Sequence, residues 1–282
     1  MTAPETPLAP GLYVTATPIG NLGDITYRAV ETLKNADLIL CEDTRQTAKL
    51  CAAYDIKTPR APYHDHNGAR VRPGVIKKLQ DGAAICLVSD AGTPAIADPG
   101  CKLVAEARAA GVAVTCLPGA NAAIAALAVT GAPSDRFLFA GFAPPKQGAR
   151  ARAFASLATA PATLIFYETA PRLAGALAAM AEAFGDRRAI VAREITKLHE
   201  EVRDGTLSAL AAHYADAAPK GEIVVLVFPP EKQAPDAEGL DAFLADALAT
   251  STVKDAAAAA AEAFSIPRKE AYARALALKP QK

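Results

Sequence analysis

The chain has 282 residues and lacks several signatures that would settle its class at once. No G-x-G-x-x-G follows its first strand-like segment and no G-x-x-x-x-G-K-[ST] occurs, which speaks against a nicotinamide oxidoreductase and a P-loop NTPase. The G-x-S-x-G elbow of the α/β-hydrolases is missing as well. Net charge is absent, with 30 basic residues against 30 acidic, so a bulk polyanion binder is disfavoured and any nucleic-acid contact must come from a local patch. No apolar run approaches the roughly 18 residues of a membrane span. The N-terminus has no basic segment followed by an apolar one, as a signal peptide would. The five cysteines are odd in number, contain no C-x-x-C and form no ligand spacing with the four histidines. Neither a zinc site nor a disulfide framework is expected. Cys86 and Cys116 fall inside apolar strand-like runs and read as small core residues. No repeat of fixed period is present. A soluble protein of the reduced cytoplasm, without a metal, is the expectation.

What is present is alternation. After a Pro-bearing leader over 1–10, apolar runs at 12–17, 37–41, 84–88 and 112–116 read as strands. Helical patterns at 27–35, 44–54, 71–80, 102–110 and 120–129 lie between and after them. Such alternation predicts a mainly parallel sheet covered by helices. The pattern breaks at 131–135, which places a domain boundary at about 130–136. Strands at 137–142, 163–167, 188–193, 199–204 and 222–228, with helices at 172–184 and 207–214, predict a second α/β part. Its clustered strands predict a mixed or partly antiparallel sheet. A polar linker at 229–238 precedes a purely helical end of about three helices, where the alanine run at 256–261 is a helix on propensity alone. The domains expected are 11–132, 133–229 and 239–282.

Five loops follow predicted strands, where open α/β sheets bind small ligands. They are Pro18-Ile19-Gly20-Asn21-Leu22-Gly23-Asp24, Glu42-Asp43-Thr44-Arg45, the stretch L-V-S-D-A-G-T-P-A-I-A-D-P-G at 87–100, Leu117-Pro118-Gly119-Ala120-Asn121, and Phe166-Tyr167-Glu168-Thr169. Each alone is also explained by a turn and a helix cap, with Asp43, Thr44 and Thr169 good capping residues. Four in register along one sheet edge point to one side of a cleft, which the fifth closes. Tyr63-His64-Asp65-His66-Asn67 reads as a polar loop at the cleft mouth. Two His at i, i+2 on a strand point to opposite faces, so chelation would need a bend. In the helical end, Arg268, Lys269, Arg274, Lys279 and Lys282 face only Glu270. That basic run reads either as an RNA-phosphate contact or as a solvated helix face.

In order and spacing, these residues resemble one family. They are T-P-I-G-N-L-G-D-I-T with R-A (17–29), A-D-L-I-L-C-E-D-T-R (36–45), H-D-H-N (64–67), V-S-D-A-G-T-P with D-P-G (88–100), L-P-G (117–119) and P-S-D-R-F (133–137). L-I-F-Y-E (164–168), A-R-E-I-T-K (192–197) and K-G-E-I-V (220–224) continue the series. Together they resemble the RsmI family of bacterial 16S rRNA cytidine 2′-O-methyltransferases, in the tetrapyrrole methylase superfamily. The likeness covers about 11–228 and extends more weakly into the helical end. Singly, only the S-D-A-G-T-P loop and the E-D-T-R cluster are distinctive. The resemblance implies an α/β fold of two tetrapyrrole-methylase-type domains, with S-adenosylmethionine in the cleft between them, plus a small C-terminal helical domain. It also implies a homodimer acting on 16S rRNA within the small ribosomal subunit. Carried over by motif, the cofactor contacts fall on Pro18, Thr93, Pro94, Ile96, Asn121, Ala122, Phe166, Tyr167, Gly221 and Glu222. Asp90 and Asp98 are read as bracing their loop. One departure stands out: the family has His before the Arg that follows its Y-E motif, and here Pro171 precedes Arg172.

Methyl transfer from a sulfonium is an in-line displacement with a neutral leaving group, so the acceptor hydroxyl is the group that needs help. Positioning supplies on the order of 7–11 kcal/mol and a general base about 10²–10⁴-fold. Glu42, Asp43 and Arg45 are the expected catalytic set, with Arg45 on a phosphate and one carboxylate at the hydroxyl. Glu168, Lys197 and Asp24 stand second. The alternative for Glu42 and Arg45 is a structural ion pair. Arg268, Lys269 and Arg274 are the expected RNA contacts. Other readings are a precorrin-type methylase, a diphthine-type protein methylase and a non-catalytic ribosome-binding factor.

Overall fold

A computed structural model describes residues 8–216, 219–230, 237–264 and 266–278. The start of the predicted leader, most of the predicted linker, Lys279 and Lys282 lie outside the described residues. The chain divides into two compact units, Met1–Pro230 and Glu231–Lys282.

The larger unit holds two five-stranded sheets. The first contains β1 (Gly11–Thr15), β2 (Leu38–Cys41), β3 (Arg60–Pro62), β4 (Ala84–Leu87) and β5 (Val114–Leu117) in the order β3-β2-β4-β1-β5. Every pairing is parallel, as strand–helix alternation requires. Its helices are α1 (Tyr27–Asn35), α2 (Thr44–Ala53), α3 (Asp65–Gln80), α4 (Cys101–Ala109) and α5 (Ala122–Thr130). Leu12, Leu40, Ile85 and Leu87 bury one sheet face, and Ile39, Cys41, Cys86 and Val88 the other. Period-two alternation on near-continuous apolar runs covers both faces of a parallel sheet.

The second sheet contains β6 (Phe137–Phe142), β7 (Thr163–Thr169), β8 (Arg188–Arg193), β9 (Glu201–Thr206) and β10 (Glu222–Val227) in the order β6-β7-β10-β8-β9. Only β6–β7 is parallel; β7–β10, β10–β8 and β8–β9 are antiparallel. Helices α6 (Gln147–Ala155), α7 (Leu173–Phe184) and α8 (Leu207–Asp216) accompany it. One cluster unites Phe154, Leu173, Leu177 and Leu210 with Leu164, Phe166 and Val225 of the sheet. On the opposite face, Ala123, Ala126 and Leu127 of α5 pack on Ile165, Val224 and Leu226. Helix α5 leaves the first sheet and lies on the second, and its small side chains let the two come close.

Several local readings change. Helix α3 begins at Asp65, six residues before the predicted start, because the H-D-H-N motif is its cap and first turn: Asn67 Oδ1 accepts from His64 N at 2.9 Å. The apolar period that marks helices starts only later, so the polar first turn read as loop. Strand β3 and helix α6 were not expected. The first is three residues on an edge and ends in Pro62, and the second follows a Pro-Pro break. Cys86 is buried as expected, whereas Cys116 is exposed because β5 is an outer strand of its sheet.

The smaller unit contains α9 (Ala237–Thr250), α10 (Val253–Ala263) and α11 (Arg268–Leu278). Its core is mostly alanine: Ala256, Ala257, Ala260, Ala271 and Ala275 pack with Leu240 and Leu244. Among the described residues no helix is long and apolar enough to cross a membrane.

Leu177 is fully buried beneath the second sheet. Leu177→Ala is expected to lower unfolding stability by about 2–5 kcal/mol through the cavity it leaves. Denaturant titration of the full chain checks this value.

Candidate active site

The ends of β1, β4 and β5 open onto one edge of the first sheet, and the loop of 88–100 is fixed there by backbone hydrogen bonds. Thr17 N donates to Gly92 O at 2.9 Å and Gly92 N to Thr17 O at 3.0 Å, an isolated antiparallel bridge. Thr17 Oγ1 also donates to Ser89 O at 3.1 Å. Gly92 has φ +81° with Ile19 Cγ2 at 3.4 Å from where a Cβ would stand, so glycine is the residue this crossing admits. Thr93 Oγ1 donates to Ala120 O at 3.1 Å, tying the loop to the next one. Beyond it the chain turns through left-handed Ala95 (φ 68°) and Ala97 (φ 58°). Non-glycine residues in this region carry strain of about 1–3 kcal/mol each and persist only where surroundings impose them.

A cavity of about 310 Å³ lies between this edge and the second sheet. Of the residues expected to hold a cofactor, Thr93, Ile96, Asn121, Ala122, Tyr167, Gly221 and Glu222 line it. Asn121 caps α5, its Oδ1 accepting from Ile124 N at 3.2 Å, and Ala123 N donates to the Tyr167 hydroxyl at 3.2 Å. Pro18, Pro94 and Phe166 do not line it. Phe166 is 2% exposed and points into the opposite core, stacking edge-on with Phe154, because successive residues of β7 face opposite sides. Pro94 is buried within its loop, and Ile19 lines the cavity in place of Pro18. Residues missed by sequence reasoning include Phe142 and Ile195, and Asp90 and Asp98, read as loop braces, line the cavity as well. Phe142 ends β6 and packs edge-on against Tyr167 with ring centroids 5.5 Å apart. The rule that strand ends carry sites, applied to β6, would have found it.

Residues 194–197 connect the second sheet to the first loop. Lys197 Nζ donates to Glu194 Oε1 at 2.9 Å and to Glu222 Oε2 at 3.0 Å. Its stem covers Gly20, where any Cβ would overlap it. The Thr196 hydroxyl donates to Asp24. Lys197 and Asp24 are therefore held in contacts between the halves. Glu168, whose side chain is fully buried, is partnered by Arg172, with Nη2 3.3 Å from Oε2. Pro171 lies in the short 3-10 turn Ala170–Arg172 that delivers this arginine.

The second cavity, of about 430 Å³, is lined by Glu42, His64, Asp65, His66, Ala95, Ala97, Asp98 and Pro99. The two histidines thus flank one space at the start of α3, their ring centroids 5.9 Å apart. Of the three expected catalytic residues only Glu42 lines it. Asp43 caps α2, its Oδ1 accepting from Arg45 N at 2.8 Å, and binds the Arg45 guanidinium at 3.0 Å (Nε) and 2.7 Å (Nη2). This engagement holds the Asp43 carboxyl down at about 2. A carboxylate so held is a poor proton acceptor near neutral pH. Arg45 is 87% exposed and already paired, so the ion pair is Asp43–Arg45 and not Glu42–Arg45. Burial, then Asp90 and Asp65, push Glu42 up. Asp90 braces its neighbours, Oδ1 accepting from Asp43 N at 2.9 Å. Among the described residues no three His, Cys, Asp or Glu side chains converge as a metal site would require. In the smaller unit Arg268 and Lys269 are exposed at the start of α11. Arg274 forms a two-pronged pair with Asp241 at 2.6 and 2.7 Å.

The family model described as Tetrapyrrole (Corrin/Porphyrin) Methylases matches residues 11–211. The model described as the RsmI C-terminal HTH domain matches 233–279. A "Ribosomal RNA small subunit methyltransferase I" of Mesorhizobium japonicum is 49% identical over 278 residues, covering 98% of this chain and 95% of the relative. One of Erythrobacter litoralis is 52% identical over 273 residues, covering 97% of each. The chain belongs to the tetrapyrrole methylase family, in its ribosomal RNA small subunit methyltransferase I branch. Solved tetrapyrrole methylases share the fold. Diphthine synthase superposes with TM-score 0.62 at 16% identity, over 77% of this chain and 89% of that one. Cobalt precorrin-4 methyltransferase gives 0.59 at 16%, over 77% and 94%.

Removing the arginine beneath this methylase cleft leaves the buried Glu168 carboxylate without its countercharge, with the Thr169 N–H donating to Oε1 at 2.8 Å. Arg172→Met is expected to lower stability by about 2–3 kcal/mol, the low end for a broken buried pair because Arg172 keeps partial exposure. Adding Glu168→Gln should recover part of that loss, which chemical denaturation of both variants measures.

Proposed function

We propose that this methylase transfers a methyl group from S-adenosylmethionine to the ribose 2′-hydroxyl of a cytidine in 16S rRNA, acting on the small ribosomal subunit as a cytoplasmic homodimer. The observation that carries the reading is the relatives' near-complete coverage of this chain, helical end included. The precorrin and diphthine enzymes cover 77% of this chain, at 16% identity.

The cavity residues fit the cofactor chemically. Ile19, Ile96, Phe142, Tyr167, Ile195 and Val224 give apolar walls suited to a purine ring. The carboxylates of Asp90 and Glu222 lie along the same cavity, acceptors suited to ribose hydroxyls and to positive charge on sulfonium and ammonium. When bound, S-adenosylmethionine supplies the activated methyl group. The chain positions it: the loop pinned by the Thr17–Gly92 bridge forms one wall, and the edge of β7 and β10 the other. The second cavity, beside Glu42, takes the acceptor nucleoside, and the exposed Arg268 and Lys269 contribute phosphate contacts.

The test is transfer of labelled methyl to small ribosomal subunits lacking the modification, followed by mapping. Label on a cytidine ribose is expected. Label on a base or in protein would contradict the reading.

A further inference from the structure

The two cavities share a wall, and that wall is made by Ala97 and Asp98: both residues line both spaces. An in-line methyl transfer needs donor and acceptor to meet at one boundary, with the acceptor's proton leaving beside it. Asp98 is the one ionisable side chain common to both linings. Resting on the functional reading above, we propose that Asp98 is the catalytic residue that accepts the proton of the acceptor hydroxyl, in place of Glu42 or Asp43.

Three observations support the assignment. Left-handed Ala95 and Ala97 turn the chain immediately before Asp98. A strained turn at this point sets where the carboxylate stands. Next, no ion pair involves Asp98 among the described residues, whereas Asp43 is bound by Arg45 and Glu168 by Arg172. Finally, its surroundings place its protonation in a useful range. Burial, then the Glu42 carboxylate, raise Asp98 to about 6, with Asp90 adding to the rise and the Ser89 hydroxyl opposing it. The ionisable groups around the two cavities are Glu42, His64, Asp65 and His66 on the acceptor side, and Asp90, Tyr167, Glu168 and Glu222 on the donor side. A base with a midpoint near the working pH combines availability with proton affinity.

The step balances. The hydroxyl O–H bond breaks and its proton passes to an Asp98 oxygen. The same oxygen of the substrate forms the new bond to the methyl carbon while the methyl–sulfur bond breaks, its electron pair staying on sulfur. Asp98 then returns the proton to solvent. Glu42 is a positioning residue here, acting through its charge on Asp98.

The sign of the pH dependence follows. Below about 6 Asp98 is protonated and cannot accept, so the rate falls about tenfold for each further pH unit. The experiment is single-turnover methylation of small subunits lacking the modification, from pH 5 to 8, with the full chain. S-adenosylmethionine binding is measured in parallel by calorimetry. The wild-type rate is expected to rise with pH and level above about 6. Asp98→Asn should lose the limb and run about 10²–10⁴-fold slower on the plateau, with cofactor binding retained. Glu42→Gln should keep the limb and move it to lower pH, since one like charge is gone. A purely bracing role for Asp98 would not make a neighbour's charge shift the limb. An Asp98→Asn variant that keeps the wild-type limb, or a limb unmoved in Glu42→Gln, overturns the assignment while the functional reading stands. A wild-type chain that binds no S-adenosylmethionine overturns the functional reading, and the assignment with it.

Discussion

Two reciprocal backbone hydrogen bonds, between Thr17 and Gly92 at 2.9 and 3.0 Å, fix the loop on which the site is built. They extend pairing one step beyond β1 and lock an otherwise irregular segment to the sheet edge. With the register set there, Thr93 reaches Ala120 and the loop turns back through Ala95 and Ala97. Asp98 then stands between two cavities. A loop held only by side chains would be free to shift by the ångström that in-line transfer does not tolerate. The bridge couples sequence to chemistry because residue 92 stands at φ +81°, a backbone conformation that favours glycine.

The second organising fact is electrostatic. Four carboxylates, Glu42, Asp43, Asp90 and Asp98, gather at neighbouring strand ends, yet their surroundings separate them. Asp43 is exposed to a guanidinium and to its own helix N-terminus and stays ionised to about 2. Asp98 is desolvated and faces like charge, and is raised to about 6. Asp90 spends an oxygen on the Asp43 amide. One residue type thus yields a helix cap, a brace and a proton acceptor by placement alone.

Sequence periodicity reveals the parallel first sheet because each buried strand is a short apolar run followed by a turn-rich loop. It also exposes the mixed character of the second sheet, whose strands follow one another without helices between β8 and β9. It fails where polar residues build regular structure: the H-D-H-N segment is a helix start and reads as loop until its cap is seen. Strand alternation was legible at Tyr167 and Phe166 in principle, since adjacent residues cannot both face one cavity. The family motif spans both, and only the buried Phe154–Phe166 packing separates them. The pairing of Arg274 with Asp241 joins residues 33 apart across a helical turnaround, which no local pattern reports.

The central claim is that one cavity, walled by the pinned loop and by the second sheet's edge, holds S-adenosylmethionine. Hydrogen exchange on the full chain, with and without S-adenosylhomocysteine, tests it most directly. The expected result is joint slowing of amides at 90–98, 121–124 and 221–224, which lie in both halves around that cavity. Slowing confined to one half, or absent from all three segments while the ligand is bound, would contradict it.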